Sequence, residues 1–217
     1  MQSFDVCVRG AGIVGRSLAL ALSRQGLAVA LQAPESAAPA REDVRAYALN
    51  AASVALLEQL KVWPAIPASS RTPVYDMRVE GDRPAAVLRF SAWQQQVREL
   101  AWIVDAAVLE AELAAALRYA PHVQQVAEPV PAALLVLAEG KASSTRDRLG
   151  ITFDRHDYGQ RAIAARLSTT EPHRNAARQW FRAPDVLALL PTDTPQPGLG
   201  LALVWSLPDE RAHALLA

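Results

Sequence analysis

The rhythm of apolar positions changes twice in the first thirty or so residues. Phe4–Arg9 is a short run rich in Val that stops at a glycine, which predicts a buried strand. From Ile13 the spacing becomes helical, with Val14, Leu18, Ala21 and Leu22 at i, i+4, i+7 and i+8. Gly26 ends that helix, and Leu27–Leu31 gives a second apolar strand. Strand, glycine turn, helix and strand in this compass form a βαβ unit and imply a parallel sheet.

Farther along, Pro34–Pro39 reads as a loop, and Ala51–Leu60 as a helix with Asn50 or Ser53 near its start. Val74–Glu80 and Ala85–Phe90 flank Gly81-Asp82 and predict a strand pair. Asp105–Tyr119 predicts an amphipathic helix with Leu109, Leu113, Ala116 and Leu117 on one stripe and Asp105 as its cap. Val123–Val126 and Leu134–Ala138 are further short strands. After Gly150 come the strand-like runs Tyr158–Leu167, Ala177–Arg182, Val186–Leu190 and Leu199–Ser206, with no helix until Pro208–Leu216. The pattern predicts an α/β chain: a Rossmann-like βαβ domain with an appended antiparallel β-sheet. The expected domains are 1–75 with 95–155 for the α/β part, and 76–94 with 156–217 for the antiparallel sheet.

The chemistry begins at the first turn. Gly10-Ala11-Gly12-Ile13-Val14-Gly15 is a G-x-G-x-x-G fingerprint set between strand and helix. Gly10 permits the tight turn, Gly12 lets backbone approach a pyrophosphate, and Gly15 lets helix and strand pack closely. The N–H groups at the helix start face the phosphates. The acid expected at the end of the second strand, where ribose hydroxyls are held, is here Gln32. An amide in place of a carboxylate weakens that contact by roughly tenfold without abolishing it. Arg9 is a second oddity, since an apolar residue is expected at the end of a buried strand.

Composition narrows the classes. The chain has 217 residues, 51% of them hydrophobic, which is ample for a core. Twenty-two basic residues balance 22 acidic ones, so a nucleic-acid binder held by net charge is not expected. The single cysteine, Cys7, allows no internal disulfide and reads as a buried strand residue in a reducing compartment. Four scattered histidines offer no zinc spacing, so no metal is expected. No basic segment precedes an apolar run at the N-terminus, and no apolar run is long enough to cross a bilayer, which points to the cytoplasm. Trp93, Trp102, Trp180 and Trp205 read as core or sheet-packing residues, with either of the last two a candidate for lining a substrate cavity. His156-Asp157 reads as a solvated pair. No nucleophile or acid–base constellation stands out, so no catalytic residue is assigned.

The fingerprint alone leaves NAD, NADP and FAD open. Two further segments resemble those of flavoprotein aromatic hydroxylases. Asp43-Val44-Arg45-Ala46-Tyr47-Ala48-Leu49, followed by Asn50-Ala51-Ala52-Ser53, is similar to their D-x-R-x-x-A-L-x-x-x-S segment. Glu139-Gly140-Lys141-Ala142-Ser143-Ser144-Thr145-Arg146 is similar to D-G-x-x-S-x-x-R, with Glu139 in place of the aspartate. Within that superfamily the chain most resembles the FAD-dependent hydroxylases of ubiquinone biosynthesis. The likeness includes Tyr158-Gly159-Gln160-Arg161-Ala162, Gln179-Trp180-Phe181 and Val204-Trp205-Ser206. The resemblance implies FAD as cofactor, NAD(P)H as co-substrate, and hydroxylation of a polyprenylated phenol or quinol reached from a membrane surface or within a biosynthetic complex. It assigns Gly10, Gly12, Gly15, Gln32, Arg45, Glu139, Gly140, Ser143 and Arg146 to the cofactor. The family's later Gly-Asp segment does not occur before Ala217, so the chain is expected to represent the N-terminal portion of the family fold. Two alternatives stay open: a non-catalytic relative acting as an assembly partner, and an NAD(P)-dependent reductase.

Overall fold

The computed structural model describes residues 3–33, 43–83 and 85–216. The chain begins with β1 (Phe4–Arg9), α1 (Ile13–Arg24), β2 (Val29–Gln32), β3 (Ala46–Leu49) and α2 (Ala51–Gln59). Next come β4 (Arg71–Val74), β5 (Asp76–Glu80), β6 (Val87–Ser91), β7 (Ala101–Asp105) and α3 (Ala106–Leu117). The rest is β8 (Val123–Val126), β9 (Ala132–Leu137), α4 (Ser144–Arg148), β10 (Gln160–Ser168), β11 (Ala176–Arg182), β12 (Asp185–Thr192), β13 (Gly200–Pro208) and α5 (Asp209–Leu216). The loop expected at Pro34–Pro39 lies outside the described residues.

Two compact units emerge. The first comprises Met1–Glu42, Leu56–Ala65 and Leu109–Arg155; the second comprises Asp43–Ala55, Ile66–Val108 and His156–Ala217. This division differs from the one drawn on the sequence, because 43–55, 66–75 and 95–108 group with the antiparallel strands.

The first unit is a parallel sheet in the order β8-β2-β1-β9. Its central strands are apolar on both faces: Val6, Cys7, Val8, Val29, Ala30 and Leu31 are all buried. Leu109, Leu113 and Leu117, one helical stripe of α3, complete the core with Leu57, Leu60 and Val62. The inward face of α1 differs from the expected one. Val14 is 70% exposed, and the buried positions are Gly15, Ser17, Ala19, Leu20 and Ser23. Gly15, Ala19 and Ser23 recur at i, i+4 and i+8. These small side chains let the helix lie close on the sheet, whereas a purely hydrophobic stripe points to the bulkier face.

The second unit holds a six-stranded sheet, β10-β13-β12-β11-β5-β6, and a three-stranded one, β3-β7-β4. Only the β5–β11 pairing in the larger sheet is parallel. Val74, Ile103 and Ala177 form a core cluster with Met77 and Leu190 packed against it. The smaller sheet escapes the sequence pattern for local reasons. Its strands are four or five residues long, β4 contains Pro73, and β7 runs straight into α3 without a breaker. Asp105 accordingly ends β7, where its carboxylate accepts from Arg166 at 2.5 Å, and is not the helix cap expected of it. At α2 the expectation holds for Asn50, whose Oδ1 accepts from the Ser53 N–H at 2.9 Å. Trp93 is 89% exposed on the short loop after β6 and contributes to no core.

Candidate functional site

The chain runs from β1 outward to β2 and later returns to β9 on the other flank of β1. The carboxyl ends of β1 and β9 are therefore a topological switch point, where open α/β sheets bind ligands. Every sequence-predicted site residue of the first unit lies at this edge or in the loops that leave it.

Gly10 takes φ +106°, and its N–H donates to the Gln32 carbonyl at 3.1 Å, which ties the turn to β2. A Cβ there would stand 2.5 Å from the Ala138 carbonyl oxygen. A Cβ on Gly15 would stand 1.8 Å from the Gly10 oxygen, so the first turn of α1 rests directly on the glycine turn. Gly12 is the opposite case: it is exposed, and among the described residues nothing lies within 4 Å of a Cβ placed on it. It caps α1 with no side-chain hydrogen bond. The first helical bond runs from the Arg16 N–H to the Gly12 carbonyl (3.0 Å), and the N–H groups of Ile13, Val14 and Gly15 find no acceptor among the described residues. Among the described residues the mouth of the helix is open and its donors are unpaired, an arrangement that suits a diphosphate.

At the end of β2 the amide of Gln32 is engaged. Arg9 and Gln32 are register partners across β1 and β2. Arg9 Nε donates to Gln32 Oε1 at 2.8 Å, and Gln32 Nε2 donates to the Ala127 carbonyl at 3.2 Å. Arg9 Nε also lies 3.4 Å from Glu139 Oε1. The cation that looked anomalous in the sequence thus joins the strand ends of β1 and β2 to the loop after β9.

Glu139 organises that loop. Its Oε2 accepts from the Ser143 hydroxyl at 2.5 Å and its Oε1 from the Thr145 hydroxyl at 2.8 Å. Burial works to raise its pKa, but these two hydrogen bonds and the Arg9 charge outweigh it and hold the carboxyl below its ordinary value. Ser143 Oγ in turn accepts from the Arg146 N–H at 3.1 Å and caps α4. Gly140 takes φ +75°, the left-handed conformation that turns the chain away from β9. Arg146 donates to the Lys141 carbonyl at 3.0 Å and lies over the Phe153 ring, 3.9 Å from its centroid. Thr145, absent from the sequence-predicted set, is buried and closes the same network.

Arg45 belongs to the second unit. Its Nε and a terminal nitrogen grip both oxygens of Asp43 at 2.8 and 2.6 Å, and its other terminal nitrogen reaches the Tyr47 hydroxyl at 3.2 Å. The hydrogen bonds from Arg45 hold the Asp43 carboxyl below its ordinary pKa. Arg166 fixes the main chain beneath, donating to the carbonyls of Val44 (2.9 Å) and Arg45 (3.0 Å) as well as to Asp105. Trp205 donates its indole N–H to Asp185 at 3.0 Å with Arg211 over its ring, a structural use of that side chain.

No family model matches the chain. Among curated proteins, ubiquinone hydroxylase UbiL of Rhodospirillum rubrum is 27% identical over 98% of this chain and 54% of its own length. The 3-demethoxyubiquinol 3-hydroxylase of Escherichia coli is 28% identical over 88% of this chain and 55% of its own. The chain is thus similar in sequence to curated hydroxylases named for ubiquinone and demethoxyubiquinol. It spans about half the length of these curated relatives. Among solved structures, PqsL of Pseudomonas aeruginosa, a probable FAD-dependent monooxygenase, superposes with TM-score 0.79 at 19% identity, over 99% of this chain and 63% of that one. HpxO of Klebsiella pneumoniae, solved with FAD, gives TM-score 0.68 at 21% identity, over 94% of this chain and 57% of that one. The fold is the one these two structures share. Among the described residues no helix is long and apolar enough to cross a membrane.

Proposed function

We propose that this chain is the nucleotide-binding portion of an FAD-dependent monooxygenase that hydroxylates a polyprenylated phenol or quinol of ubiquinone biosynthesis, with NAD(P)H and O₂ as co-substrates. One observation carries the reading. At the switch point of a parallel sheet, Gly10 and Gly15 serve packing that admits no Cβ, yet among the described residues the space over Gly12 is empty and three adjacent amides have no acceptor. Water can meet such amides at any helix start, but at a switch point with the glycine turn beneath them they form the cradle that a diphosphate fits. The names of the relatives, and the FAD in one structure of the same fold, supply the choice of dinucleotide and substrate class.

In this reading the amides of Ile13, Val14 and Gly15 neutralise the diphosphate with help from the positive end of α1. Gln32 lies at the adenosine ribose, while Glu139, Gly140, Ser143 and Arg146 form the wall of the cleft. Arg45 is assigned to the flavin by the likeness of its segment alone. Bound FAD would supply the redox chemistry that no protein side chain provides. The chain's own residues bind and orient it. A substrate with a polyprenyl tail would be met at a membrane surface, and the antiparallel sheet of the second unit would serve that substrate.

The test is the visible spectrum of the purified chain, alone and after incubation with FAD. Flavin absorbance that survives gel filtration, with a saturable Kd, supports the proposal. A colourless protein that retains no FAD but binds NAD(P)H saturably would replace it with a reductase.

A further inference from the structure

Arg9 closes a central strand of a sheet buried on both faces, and packing alone would place an apolar side chain there. The side chain is only 14% exposed and is anchored through Nε, at 2.8 Å from Gln32 Oε1 and 3.4 Å from Glu139 Oε1. An internal ion pair would turn the terminal nitrogens of the guanidinium toward the carboxylate as a fork. Here each carboxylate oxygen already accepts a hydroxyl, from Ser143 and Thr145, and Arg9 approaches it through Nε alone. The two terminal nitrogens take no acceptor among the described residues, and neither is sealed from solvent. A guanidinium braced from behind, with four N–H groups unspent beside a glycine turn, is built to meet an oxygen anion.

We infer that Arg9 is a ligand-binding residue: its terminal N–H groups receive a phosphate oxygen of the bound dinucleotide, and Arg9 with Gln32, not residue 32 alone, sets the specificity of the ribose end. The inference rests on the dinucleotide reading above. It explains Gln32 as well. A carboxylate at that position would stand within hydrogen-bond distance of Arg9 and be captured as an ion pair, which would spend the cation and the ribose acceptor together. The amide braces Arg9 without neutralising it. Two phosphates fit the chemistry, the diphosphate itself or a 2′-phosphate on the ribose, and the probes below separate them.

The experiment measures binding of FAD, ADP-ribose and 2′-phospho-ADP-ribose to the full chain by calorimetry, with unfolding followed in parallel by circular dichroism. Arg9→Val is expected to weaken binding by about tenfold or more while the protein stays folded. Gln32→Glu alone is expected to bind no more tightly than wild type, and Arg9→Val with Gln32→Glu to recover affinity relative to Arg9→Val. A loss confined to 2′-phospho-ADP-ribose assigns Arg9 to the 2′-phosphate; a loss shared by all three assigns it to the diphosphate. Unchanged or tighter binding by folded Arg9→Val overturns the inference, as does a Gln32→Glu variant that tightens by itself. Should Arg9→Val not fold, Arg9→Gln keeps a hydrogen-bonding strut without the charge and is judged by the same losses. Wild type that binds ADP-ribose but not FAD defeats the flavin assignment and leaves Arg9 under test; wild type that binds none of the three defeats both.

Discussion

In the first unit the interior of the sheet is closed to polar side chains: Val6, Cys7, Val8, Val29, Ala30 and Leu31 fill it on both faces. The polar residues Gln32, Arg9 and Glu139 are held at the carboxyl end, where Arg9 meets Gln32 at 2.8 Å and Glu139 at 3.4 Å. In the second unit charge is spread along the antiparallel strands. Arg161–Asp209 and Arg78–Glu80 pair at 3.2 and 2.9 Å, with the arginines about half exposed. Sheet type accounts for the difference. A parallel sheet covered on both faces leaves only strand ends for polar chemistry, while an antiparallel one with a wet face can carry ion pairs anywhere along its length. Polar contacts in the first unit are therefore few and consequential; those in the second are numerous and cheap to lose, Arg166 excepted.

Substitutions should rank accordingly. Gly15→Ala is expected to cost about 3 kcal/mol, because the methyl would meet the Gly10 carbonyl at 1.8 Å; urea denaturation measures it. Its foil is Gly12→Ala, where the space is open: stability should fall by about 1 kcal/mol or less, while FAD affinity drops about tenfold or more as the methyl enters the ligand's volume. Arg166→Ala, the exception of the second unit, should cost about 2–3 kcal/mol in thermal unfolding, since it strands the Asp105 carboxylate and two carbonyls together.

Glu139→Gln should cost about 1–2 kcal/mol and should flatten the acid limb of stability. The folded pKa of Glu139 lies below its ordinary 4.5, so the unfolded chain binds more protons in that window. The contribution is whole above the ordinary value and lost as pH falls through the depressed one. Urea midpoints from pH 6 down to pH 3, wild type against variant, would read this out. Smallest of all, Arg161→Ala should change stability by less than about 0.5 kcal/mol, and by less still in 0.5 M salt. If that exposed pair cost as much as Glu139, the contrast between the two units would be wrong.

How much of this was legible in the sequence follows the same division. The βαβ unit and its turn were readable because Gly10 and Gly15 answer steric demands that no other residue meets, and the late strands were readable as strand-like runs with no helical segment between them. The face of α1 was misjudged because close packing selects small residues, and a hydrophobic count rewards large ones. Strands β3, β4 and β7 were hidden by brevity, by Pro73 and by the unbroken passage into α3. The role of Arg9 was half visible. A charge ending a buried strand was a signal, and the parallel register of a βαβ unit would have set it opposite Gln32. That Asp105 serves Arg166, 61 residues distant, is tertiary information that no local pattern holds.

One pairing in the second unit bears on how the chain is made. Strand β5 lies beside β11, with Met77 opposite Ala177, so the hairpin at 76–91 has its neighbour a hundred residues downstream. On the ribosome that hairpin must wait until the last segment of the first unit, Leu109–Arg155, has been made. Two strands alone are marginal in water, and Leu88 and Phe90 remain substantially exposed even in the finished sheet. The nascent polypeptide thus passes through a stage with a sticky, half-made ribbon on display, and this is where a chaperone would earn its keep or a protease would cut.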